Sequence, residues 1–85
     1  MNYTQILEDC IKVANERQET YGEAKKSILL ATEILETTFG IVMTEYEFCM
    51  VIVSLKLSRL KFQYKEDSML DIVNYICMAI NSKRT

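Results

Sequence analysis

The sequence predicts an all-α protein: a compact four-helix antiparallel bundle, assembled as a homo-oligomer. Two observations carry the helical class. Apolar residues recur at i, i+3, i+4 and i+7 in four successive blocks, and no block alternates as a strand would. A third observation carries the single domain, residues 1–85. The 85 residues are 49% apolar and 26% charged, a globular balance near the size at which one core barely suffices. A partner subunit would supply the missing burial.

Helix one is expected over about 3–18, where Tyr3, Ile6, Leu7, Cys10, Ile11 and Ala14 share one face and Asn2 with Gln5 cap the start. In the stretch ETYGEA, Gly22 predicts a turn, because glycine enters positive φ at little steric cost. Helix two follows over 24–39 with Ile28, Leu29, Ala31, Ile34, Leu35 and Phe39, and Gly40 stands at the C-terminal glycine position. Thr44 and Glu47 have capping-box spacing, and Met43 and Phe48 that of a hydrophobic staple, so helix three starts at 45 and runs to about 62. Its first half is apolar all round, which predicts a central helix or one in an interface. Helix four is expected over 67–81, beginning at Asp67 or Ser68, with the last residues a frayed tail.

Net charge of −2 and a pI near 5.1 leave no broad basic footprint, so nucleic acid is not an expected partner. With no histidine, Ser-His-Asp and Cys-His catalysis are excluded and a zinc site is not expected. Cys10, Cys49 and Cys77 have no paired spacing and read as buried, reduced thiols. The N-terminus lacks the basic start of a signal peptide, and the longest apolar run, 48–53, is far shorter than the roughly 20 residues of a span. These features predict a soluble, cytoplasmic protein with no membrane contact.

Three sets of charges have spacings that chemistry uses. Lys56 and Arg59 lie three apart on one helix face, where an ammonium and a guanidinium fork can grip one phosphate; such pairs are also common on solvated helices. Asp67 and Asp71 lie four apart, with Tyr75 continuing the stripe. They suit Mg²⁺ held through oxygens, or equally an Asp67 helix cap and an Asp71 salt bridge to Lys56 or Arg59. Glu33 and Glu36 have an E-x-x-E spacing that also fits a solvated face.

Taken in order, ERQETYG, TEYE, LKLSRL and EDSMLDIVNY resemble a family of small, functionally unassigned phage and prophage proteins. That family carries an R-x-x-x-Y-G turn, an L-K-x-x-R-L helix and a D-S-x-x-D-x-x-x-Y helix. It is distantly similar to nucleotide-modification-associated helical domains and to MazG-like pyrophosphohydrolases, which are helical, oligomeric and magnesium-dependent. The resemblance implies ligand-binding roles for Arg17, Tyr21, Gly22, Lys56, Arg59, Asp67, Ser68, Asp71 and Tyr75, and a location in the host-cell cytoplasm. Ala24 and Glu45 stand where the family usually has proline, Ser27 where it has asparagine, and Leu35 where it has tryptophan.

The expectation is a non-enzymatic protein that binds a nucleotide-like small molecule and sequesters a host nucleotide or a nucleotide-derived defence signal, without a cofactor. One alternative is a MazG-like pyrophosphohydrolase using Mg²⁺ on Asp67, Asp71, Glu33 and Glu36. Another is an inhibitor that covers a host defence or replication protein. The homo-oligomer is expected to pack helix three against its mate, with Lys56 and Arg59 at the interface margin.

Overall fold

A computed structural model describes residues 2–16 and 18–84, the side chains of 18–21 excepted. It holds four helices, α1 (Tyr3–Glu16), α2 (Gln18–Phe39), α3 (Glu45–Leu60) and α4 (Glu66–Lys83). No strand occurs among the described residues, and none of these helices is long and apolar enough to cross a membrane.

Local chemistry fixes the ends. The Asn2 side-chain oxygen accepts from the Gln5 amide at 3.0 Å, opening α1. Gly40 adopts φ 69°, and this left-handed step lets its own amide and that of Ile41 reach back to the carbonyls of Glu36 (3.0 Å) and Leu35 (3.1 Å). At the start of α3 the capping box closes in both directions. The Glu47 amide donates to the Thr44 hydroxyl at 3.1 Å, and the Thr44 amide donates to the Glu47 carboxylate at 3.0 Å.

Several boundaries differ from expectation, among them the end of α4, which runs to Lys83 rather than 81, so Lys83 is not part of a frayed tail. No turn forms at Gly22: α2 runs through it, and Gly40 is the one glycine with positive φ. Glu23, Ala24, Lys25 and Lys26 are strong helix formers, and they outweigh the roughly 1 kcal/mol that glycine costs against alanine. Helix α3 stops at Leu60 rather than 62, where the amides of Phe62 and Gln63 both turn back onto the Arg59 carbonyl. Helix α4 begins at Glu66, with extended Lys65 as its N-cap and no side-chain cap bond, so neither Asp67 nor Ser68 caps it.

Helices α3 and α4 form the principal pair and run antiparallel. Near one end Lys83 Nζ lies 4.8 Å from the centre of the Tyr46 ring, and further along Lys56 meets Asp71. Helix α2 packs on α3, and α1 packs on α4. Ile28, Cys49 and Ala79 form the buried centre, surrounded by half-buried Phe48, Ile52, Tyr75 and Met78. Helix α3 is thus central, with Cys49 and Val53 turned inward, while Met50 and Val51 stay exposed. Buried Asn74 spends its amide on the Leu70 carbonyl at 3.0 Å. Cys10 and Cys49 are buried thiols, but Cys77 is exposed, contrary to expectation, because it falls outside the inward stripe Ile72, Tyr75 and Ala79.

The chain is elongated, 47 × 31 × 20 Å, with a Cα radius of gyration of 14.2 Å. A compact domain of this length has a radius near 12 Å. The core is correspondingly thin.

Candidate functional site

The five-residue connection 61–65 between α3 and α4 holds the two helices close enough for their charges to meet. Lys56 and Asp71 pair at 3.5 Å, both side chains about a quarter exposed or less. The same ammonium lies 5.7 Å from the centre of the Tyr75 ring. Burial, then the Asp71 charge, push the Tyr75 phenol above its ordinary range, so it stays a neutral donor at physiological pH. This trio is a positioning unit: it fixes α4 against α3 one turn before Arg59.

Beyond the trio, at the hairpin tip, lies a cleft of about 360 Å³ lined by Arg59, Phe62, Gln63, Lys65 and Ser68. The turn of Phe62 and Gln63 onto the Arg59 carbonyl brings both residues to the cleft that Arg59 lines. Lys65 adds a second cation, and the first amides of α4 have no side-chain cap. Helix starts of this kind favour anions. Glu66 and Asp67 in the same first turn oppose that field.

Lys56, Asp71 and Tyr75 are therefore together, and Arg59 and Ser68 share the neighbouring cleft. Asp67 is exposed at the start of α4. Gly22 is elsewhere: it lines a cavity of about 210 Å³ with Lys25, Glu45, Met78 and Asn81, at the opposite end of the α3–α4 pair. Glu45 and Arg59 are the first and next-to-last residues of α3, about 20 Å apart at 1.5 Å per residue. Arg17 and the Tyr21 side chain lie outside the described residues.

Among the described residues no three carboxylates or thiols come together in a way that could hold a metal ion. Glu33 and Glu36 on α2 and Asp67 and Asp71 on α4 are thus not gathered into one magnesium site within the protomer. Phe62, Gln63 and Lys65 line the cleft but were not singled out by periodicity, since they belong to a connection. The signal was there in composition: an aromatic, an amide and a cation follow directly on Arg59.

Over residues 5–83 the chain matches the family model described as a domain of unknown function, DUF6378. No curated protein and no solved structure matches it.

Proposed function

We propose that this chain, which belongs to the DUF6378 family, is a non-enzymatic binder of a nucleotide-like small molecule, with the phosphate held in the hairpin-tip cleft. The observation that carries this reading is the joint presence there of Arg59, Lys65 and Phe62 around a volume within the range of small-molecule sites. The guanidinium and ammonium are donors for phosphate, and the ring offers a face on which any base can stack. The Lys56–Asp71–Tyr75 unit braces the cleft, which limits what binding must order.

The resemblance to functionally unassigned phage and prophage proteins, themselves distantly similar to nucleotide-modification-associated and MazG-like domains, supports a role in the cytoplasm of an infected cell, as a homo-oligomer that sequesters a host nucleotide or a nucleotide-derived defence signal. Sequestration needs donors and a pocket, whereas hydrolysis also needs a positioned water and a group to activate it.

Calorimetric titration with nucleoside triphosphates, cyclic nucleotides and inorganic phosphate tests the reading. Heat is expected from at least one nucleotide, with Arg59→Ala weakening affinity tenfold or more and Phe62→Ala weakening nucleotide but not phosphate. No heat from any ligand, or binding indifferent to Arg59→Ala, overturns it.

A further inference from the structure

The geometry points to a second copy of this chain as the occupant of the apolar stripe of α1, formed by Tyr3, Ile6, Leu7 and Ile11. This gives the homo-oligomer proposed above a surface on α1, in place of the helix-three seam expected from the sequence, and does not depend on ligand binding. The four side chains are 67%, 53%, 59% and 60% exposed. Their spacing places them on the same helix face as Cys10, which is buried where α1 packs against α4, so the contact with α4 covers that face at Cys10 and leaves the four side chains around it exposed. An amphipathic helix thus has most of its apolar face left uncovered by the rest of the chain. On α4, the element that carries α1, Val73, Ile76 and Ile80 form a second partly exposed ridge at i, i+3 and i+7.

Surface area argues for a second copy as the occupant. The chain exposes 6623 Å², whereas a closed monomer of 9.9 kDa exposes about 5,200 Å². The excess, about 1,400 Å² per chain, belongs to the whole molecule and sets an upper bound of roughly 2,800 Å² on what pairing two copies could remove, a bound that admits a stable dimer interface. A two-fold arrangement covers the same stripe on both copies at once. With a net charge of only −2, two copies meet little long-range repulsion.

Sedimentation equilibrium at micromolar concentration, combined with hydrogen exchange, decides the matter. Wild type should sediment at twice the 9.9 kDa chain mass, and Ile6→Glu/Ile11→Glu should fall to the chain mass while keeping its far-UV helical signal. Should that variant lose helicity, the wild type still answers. Its α1 amides should lose protection at least tenfold on dilution through the dissociation range, and α3 amides should lose less. A wild-type monomer, a folded double variant of unchanged mass, or α1 protection independent of concentration overturns the proposal, as does a monomer that pairs through α1 only with a different protein. A dimer that binds no nucleotide would sink the ligand reading and leave this one; a nucleotide-binding monomer would do the reverse.

Discussion

The chain has two glycines, and the structure assigns opposite signs to replacing them. Gly22 lies inside α2 with helical geometry, and a Cβ added there meets nothing within 4 Å. Gly22→Ala therefore removes backbone freedom from the unfolded chain without a clash, and should stabilise by roughly 0.5–1 kcal/mol. Gly40 is also open to a Cβ, but its φ of 69° is left-handed, which costs an L-residue roughly 1–2 kcal/mol. Gly40→Ala should destabilise by that amount and loosen the bonds to the Glu36 and Leu35 carbonyls. In thermal terms the first variant should melt about 2–8 °C higher, and the second at least about 4 °C lower. Urea unfolding at one fixed protein concentration, with unchanged slopes, is the assay. If Gly22→Ala destabilises, the chain turns at Gly22 and α2 begins later; if Gly40→Ala is neutral, α2 does not end in a left-handed residue.

Three further outcomes follow from the contacts. Thr44→Ala opens one side of the capping box at the central helix and should cost about 1 kcal/mol in the same urea assay. The Glu47 carboxyl is held below its ordinary pKa, first by the Thr44 amide and then by the Thr44 hydroxyl. Its stabilising contribution is therefore complete above the unfolded value of 4.5 and lost as pH falls through the depressed folded value. Glu47→Gln should trail wild type near neutrality, with the gap closing in acid; a gap that widens would contradict the assigned hydrogen bonds. A double-mutant cycle of Lys56→Met with Asp71→Asn should give a coupling of roughly 0.5–1 kcal/mol that shrinks in high salt, and zero coupling at low salt would remove the brace behind the cleft.

Features that depend on near neighbours were legible in the sequence. Asn2 with Gln5, Thr44 with Glu47, and Gly40 each act within a few residues, so spacing alone located them. The Lys56–Asp71 pair was foreseeable as one of two pairings, because a five-residue connection folds α4 back along α3. Gly22 misled because a lone glycine is only a weak stop, and the helix formers after it carry the helix through. Nor does order along the chain reveal distance. Gly22 and Arg59 share an ordered set of motifs yet line cavities at opposite ends of the α3–α4 pair. Phe62, Gln63 and Lys65 escaped because a connection has no period to betray which way its side chains face. The outward stripe of α1 escaped for a similar reason: periodicity shows that Ile6, Leu7 and Ile11 share a face, not that the chain itself fails to cover it.

Amide chemical shifts of ¹⁵N-labelled protein, followed while a nucleoside triphosphate is added, test the hairpin-tip cleft most directly, because they locate binding residue by residue. The cleft predicts saturable shifts centred on Phe62, Gln63, Lys65 and Ser68, with the Arg59 side-chain signal moving at the same concentrations. Shifts centred instead on Gly22, Lys25 and Asn81 at the far cavity, or no saturable shift at all, would contradict it.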